Sequence, residues 1–304
     1  MPAPSRVAPA ALRTLVAGVV DYAGLFPPAA LSMPAAVVHF AECRAGQDAW
    51  MLGHFVVPAA RLDEWEIAVA ALPPDDAHAW HGARLSALLS GEYSSEAEML
   101  AAFNARAPFG VRIDVAEGRV LNGDAVLAMS AAMPDDVTLY CEVPHRDDPL
   151  AMLEAVRSAG VRAKIRTGGA TADAFPQPHE IVRFLRRCFE LGVTAKATAG
   201  LHHPLRGEYR LTYDADAARG VMYGYLNMFL AAAAIRSGAT DAVAGEILLA
   251  NEASAIGVTD ERLTVCGVPL TDAVLANTRA HGVVAFGSCS FREPVDELGL
   301  LFAV

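Results

Sequence analysis

The chain carries 24 basic side chains, of which 22 are arginines and only two are lysines, Lys164 and Lys196. Where arginine supplies the surface charge, an ammonium stands out for what a guanidinium cannot do. It can lose its proton when desolvated and act as a nucleophile or base. Both lysines lie in short runs of alternating character. In Val161-Arg162-Ala163-Lys164-Ile165-Arg166-Thr167, residues 162, 164 and 166 share one face, and in Val193-Thr194-Ala195-Lys196-Ala197-Thr198, Thr194, Lys196 and Thr198 do the same. On consecutive strands of a parallel barrel the two amines become neighbours near its mouth, where each is expected to depress the other's pKa. A neutral amine attacks a carbonyl, and the resulting Schiff base is an electron sink for making or breaking the adjacent carbon–carbon bond.

Such chemistry needs a proton carrier. The polar parity of Arg112-Ile113-Asp114 and of Tyr140-Cys141-Glu142 sends Asp114 and Glu142 toward the same mouth, as relay groups or as structural partners of the cations. Substrate contacts are expected from Asp21, Arg166, Thr167, Thr198, His202 and His203, and from the turn Phe286-Gly287-Ser288-Cys289-Ser290. In that turn Gly287, Ser288 and Ser290 could present N–H and hydroxyl groups to an anion, or Ser290 could simply cap the following helix. Cys289 has no evident base partner. His54 faces inward by parity and reads as a core histidine. The Schiff-base reading calls for no cofactor. A rival reading gathers Glu142, His145, His202 and His203 around a zinc or iron ion that activates water or polarises a carbonyl, although the adjacent histidines fit none of the usual ligand spacings. A third makes the barrel a metabolite-binding protein without catalysis.

Positioning these residues is a job for repeated βα units. Candidate strands run from Leu15 to Val20, Trp50 to Val57, Arg84 to Ser90, Phe109 to Val115, Val137 to Val143, Val161 to Arg166, Val193 to Thr198 and Val283 to Gly287. The first is ambiguous, because residues 10–20 also read as a helix. Helix starts are signalled by Ser32, Ser94 or Ser95, and Asp147 or Asp148, and ends by Gly46, Gly160, Gly192 and Gly282. The pattern predicts one (β/α)8 TIM-type barrel over residues 1–304, with a long helical insertion between strands seven and eight at about 201–282. An apolar stretch in that insertion suits either the core or a contact between copies in a homo-oligomer.

With 54% hydrophobic and 19% charged residues, the chain has the material for a large core and is neither disordered nor a coiled coil. A net charge of −11 without a basic run argues against nucleic acid or an anionic membrane as partner, leaving a small molecule. The longest apolar run, Gly220 to Ile235, is broken by Asn227 and is too short to span a bilayer. Five cysteines without a C-x-x-C pair suggest neither a disulfide framework nor a zinc–cysteine site, which fits a reducing cytoplasm.

Three strand ends resemble those of the class I deoxyribose-phosphate aldolase family: Lys164-Ile165-Arg166-Thr167-Gly168, Lys196-Ala197-Thr198-Ala199-Gly200 and Phe286-Gly287-Ser288-Cys289-Ser290. The resemblance implies a (β/α)8 barrel with Lys164 as Schiff-base lysine, Lys196 tuning it, Asp114 relaying protons and the turn 287–290 holding a phosphate. It covers only these segments. Arg166 stands where the family has a small hydroxyl residue, the seventh strand lacks the double glycine, Cys289 replaces a serine or small residue, and the insertion is long. These departures point to an aldolase-like lyase for a small carbonyl metabolite other than deoxyribose phosphate.

Overall fold

Alternation of β-branched and small residues with charged ones makes strands whose two faces meet different surroundings. In the computed structural model, which describes residues 8–302, this alternation closes a barrel of eight parallel strands. They are β1 (Val20–Tyr22), β2 (Leu52–Pro58), β3 (Arg84–Leu88), β4 (Arg112–Arg119), β5 (Thr138–Glu142), β6 (Arg162–Arg166), β7 (Ala195–Thr198) and, last in the chain, β13 (Val283–Ser288). Closure joins β1 to both β2 and β13, each pair parallel. The architecture is that of a (β/α)8 TIM barrel. The ends of the chain, 1–7 and 303–304, lie outside the described residues.

Outward-facing residues build the core between barrel and helices. Phe55, Leu85, Ala87, Ile165 and Ala197 are all fully buried. Around Phe55 an aromatic cluster forms with Phe40, Trp65 and Trp80, ring centroids 4.6–5.3 Å apart. Each such side chain contributes about 2–3 kcal/mol by leaving water. The helices begin where local chemistry allows. Ser32 accepts from the Ala35 N–H ahead of Met33–Ala45, Asn122 caps Gly123–Ala132, and a capping box of Gln177 and Glu180 opens Pro178–Leu191, which Gly192 ends at φ 68°.

Two expectations need correction. The first barrel strand is not Leu15 to Val20: Ala10–Val16 is a helix and the strand is only Val20–Tyr22. One face of that helix, with Ala11, Leu12, Leu15 and Val16, is buried, which lets a stretch readable either way settle as helix. Nor is the segment between the seventh and eighth barrel strands purely helical. Besides the helices Tyr225–Arg236 and Asp241–Leu249 it holds a hairpin, β8 (Gly207–Arg210) with β9 (Arg219–Met222), and a three-stranded antiparallel sheet of β10 (Ile256–Val258), β11 (Arg262–Val265) and β12 (Val268–Thr271). The apolar helix Tyr225–Arg236 is buried from Tyr225 through Ile235 within the chain's own core, so of its two readings the core is the one realised.

Candidate active site

At the C-terminal ends of the barrel strands lies a cavity of about 470 Å³, where this fold places its functional groups. Its floor is charged. In β6 and β7 the alanines and Ile165 face the helices, which turns Lys164 and Lys196 inward, and the two lysines are direct register partners. Glu142 on β5 is in turn the register partner of Lys164.

The carboxylate that organises the lysines is Glu117, which the sequence reading missed. Its Oε1 accepts from Lys196 Nζ at 2.5 Å and from the Ser86 hydroxyl at 2.6 Å, while Oε2 lies 2.8 Å from Lys164 Nζ. Asp114, the expected relay, is instead displaced toward the opposite end of the barrel, 3.0 Å from His54 Nε2 and 3.7 Å from Arg84. A register irregularity explains the exchange. Leu85 pairs with Ile113 but the next residue, Ser86, pairs with Val115, so Asp114 is an extra residue bulged out of the ladder. Beyond it the inward face reads 115, 117, 119. The continued alternation of Glu117 and Arg119 with Ala116 and Gly118 was the available signal.

Lys196 is held from two sides, by Glu117 and by Asp21 Oδ2 at 2.5 Å. Asp21 Oδ1 accepts from the His54 backbone N–H at 2.8 Å and lies 2.9 Å from His54 Nδ1. Gly53 permits that approach: a Cβ there would fall 2.4 Å from Asp21 Oδ1. Lys164 sits between Glu117 and Glu142, the latter at 3.1 Å and shared with Arg166 Nε at 2.9 Å.

The electrostatics differ from those expected of two adjacent ammoniums. Burial alone would lower the pKa of Lys196, but Asp21 and Glu117 outweigh it and hold the ammonium well above its ordinary value. Burial would likewise raise the carboxylates. The lysines overcome this and bring Glu117 down to about 2, while Lys196 and His54 hold Asp21 well below the usual range. Mutual depression is therefore absent at Lys196, because a shared carboxylate stands between the charges. Glu142 is also lowered, burial being outweighed by Lys164 and Arg166. His54 rises to about 9, as Asp21 and Asp114 overcome its burial.

The remaining expected contacts divide. Arg166, Thr198, His202 and Gly287 line the cavity, as does Cys289. Asp21 lies beneath it, under Lys196. Thr167 is fully buried and its hydroxyl donates to Ala199 O at 2.7 Å, tying the ends of β6 and β7 together, where Gly168 and Gly200 are in close approach. Ser288 Oγ accepts from the Ser290 N–H, and Ser290 Oγ accepts from the Glu293 N–H ahead of the helix Arg292–Phe302. The turn thus takes its capping alternative, and neither hydroxyl lines the cavity. His203 is paired with Glu297 at 2.8 Å and stacked on Tyr209.

The four residues of the metal reading do not converge. Glu142 is occupied by cations, His202 Nδ1 lies 3.1 Å from Glu293, His203 turns to Glu297, and buried His145 lies off the cavity. Among the described residues no three His, Cys, Asp or Glu side chains are grouped to hold a metal ion. His202 does come within 3.9 Å of Cys289 Sγ, but through the same Nδ1 that faces Glu293, so the imidazole is not placed between acid and thiol. Burial would lower His202, yet Cys289 and Glu293 raise it to about 9.

The cavity has two characters. Phe26, Pro28, Leu88, Leu89 and, from the insertion, Met222 form an apolar wall, while Arg119 and Arg166 stand above the lysine floor. Arg119 has no carboxylate within salt-bridge distance among the described residues. Fold and floor together define a TIM barrel with a buried lysine–carboxylate cluster at the C-terminal end of its strands. Family models, curated proteins and solved structures yield no match to this chain. Among the described residues no helix is long and apolar enough to cross a membrane.

Proposed function

We propose that the protein is a Schiff-base lyase of aldolase type, acting on a small anionic carbonyl compound with Lys164 as nucleophile. The observation that carries this reading is the pairing of the only two lysines, in register on adjacent strands, at the floor of the mouth cavity around one shared carboxylate. Lys196, clamped by two buried carboxylates, is an ammonium at rest. Lys164 is paired with Glu117 and with Glu142, the second of which lines the cavity and is shared with Arg166.

Substrate binding supplies the deprotonation. An anionic group that engages Arg119 and draws Arg166 away from Glu142 raises the basicity of that carboxylate, which then takes the proton of Lys164. The free amine adds to the carbonyl carbon, and Glu142 returns the proton to the oxygen. Loss of water leaves a protonated Schiff base, so one ammonium and one carbonyl become one iminium and one water. Lys196 stabilises negative charge developing beside Lys164. The apolar wall supports a substrate with a hydrocarbon part, and Arg119 with Arg166 supports a carboxylate or phosphate at its other end.

The test is a screen of 2-oxo acids and phosphorylated aldehydes for cleavage or condensation. The expected active compound turns over with the native chain, falls by about 10³ or more in Lys164→Met, and keeps measurable turnover in His203→Gln. Equal turnover by Lys164→Met overturns the proposal.

A further inference from the structure

The N-terminal end of the barrel holds a second cavity of about 430 Å³, lined among others by His54, Asp114, Tyr140 and Arg162. Lys196 lines this cavity and the mouth cavity alike, so its side chain forms part of the partition between them. Upward from the lower cavity runs an unbroken series of ionisable groups. His54 Nε2 is 3.0 Å from Asp114, His54 Nδ1 is 2.9 Å from Asp21 Oδ1, Asp21 Oδ2 is 2.5 Å from Lys196, and Glu117 joins Lys196 to Lys164 at 2.5 and 2.8 Å.

Two features distinguish this series from a set of ion pairs that merely neutralise one another. Each bridging group uses different atoms for its two neighbours: both imidazole nitrogens, both oxygens of Asp21 and both oxygens of Glu117. The exposure is also graded. The side chains of Asp114 and His54 are 41% and 26% exposed, whereas those of Asp21, Lys196 and Glu117 are at most 3%. The exposed pair lines the lower cavity, apart from the mouth where a substrate would sit.

We propose that the lower cavity is a proton port, through which His54 exchanges protons between solvent at the N-terminal face of the barrel and the buried lysines. The Lys196 ammonium gives a proton to Asp21 Oδ2, the carboxyl turns about its Cβ–Cγ bond and hands that proton to Nδ1 of the neutral His54 ring, and the ring releases its Nε2 proton to water; the reverse sequence restores the ammonium. Asp21 and Asp114 face the imidazole directly. Arg84 acts through Asp114, and Arg162, Arg279 and Asp136 line the same space. The port depends on the lysine cluster alone and holds whether or not the cluster makes a Schiff base.

With only two lysines, ¹⁵Nζ labelling gives two ammonium signals, and solvent hydrogen exchange at Lys196 reads the port without any substrate. Exchange in His54→Gln is expected to slow about a hundredfold, the low end of what a positioned acid–base group provides. In His54→Ala it is expected to slow likewise and to recover on addition of imidazole. Should either variant fail to fold, Thr138→Met narrows the lower cavity at a residue outside the series and is expected to slow exchange as well. Native-like exchange at Lys196 in the folded variants overturns the port and shows that protons reach the lysine from the mouth.

Discussion

Glu117→Gln removes the charge on which both lysines depend. Both oxygens of Glu117 face donors: Lys196 and Ser86 at one, Lys164 at the other. Whichever way a glutamine amide is turned, its NH₂ meets an ammonium, so one buried donor pair is left unsatisfied. A unit charge at about 4 Å in partly polarisable surroundings is worth about 4 kcal/mol, equivalent to roughly a thousandfold in an ammonium's dissociation. Breaking a buried pair by losing one partner costs about 3–5 kcal/mol of stability. The variant is therefore expected to be less stable by about 3–5 kcal/mol in urea denaturation, yet to react faster with pyridoxal phosphate at pH 7, because its amines spend more time neutral. Labelling is read well below the denaturation midpoint, where the chain is folded, so that faster reaction reports lost charge and not unfolding. Unchanged stability together with unchanged labelling would falsify the role given to Glu117.

Acidification should weaken the fold. Glu117, brought down to about 2 in the folded protein, contributes stability that is present above the unfolded carboxylate pKa and is lost as the pH falls from about 5 toward 2, on the order of 3 kcal/mol in urea titrations. His54 works in the other direction: raised to about 9, it contributes stability that is complete below about 6.5 and lost as the pH rises through 9, and His54→Gln should flatten that limb. Gly53→Ala places a Cβ against Asp21 and should cost about 1–3 kcal/mol, read as a lowered denaturation midpoint. Ser290→Ala should cost about 1 kcal/mol as a lost cap and leave substrate affinity unchanged, whereas a phosphate-holding hydroxyl would show in KM.

Much of this architecture was legible in the residues. Seven of the eight barrel strands announced themselves by alternation, and parity alone put Lys164 and Lys196 side by side. Parity failed at β4 because it assumes an unbroken ladder. A single bulged residue at Asp114 reverses the inward face, and alternation read from the N-terminal side cannot reveal where a ladder slips. The hydroxyls of Thr167, Ser288 and Ser290 were read as ligand contacts by composition. Their geometry turns them onto backbone groups, as short polar side chains in turns commonly do. The hairpin that brings Met222 to the mouth lay in a segment whose helical runs dominated the pattern, and its strands of four residues are too short to carry a period of their own. Arg119 was missed because candidate strand four was ended at Val115.

The central claim is that an amine at this floor forms an imine, and borohydride trapping tests it most directly. The native chain is treated near pH 7 with pyridoxal phosphate and a panel of 2-oxo acids, reduced, digested and mapped, with only two lysines and the N-terminus able to react. The account predicts a reduced adduct on Lys164 that disappears in Lys164→Met. Adducts on the N-terminus alone, with Lys164 and Lys196 both silent, would contradict it and leave the cluster as a set of buried ion pairs.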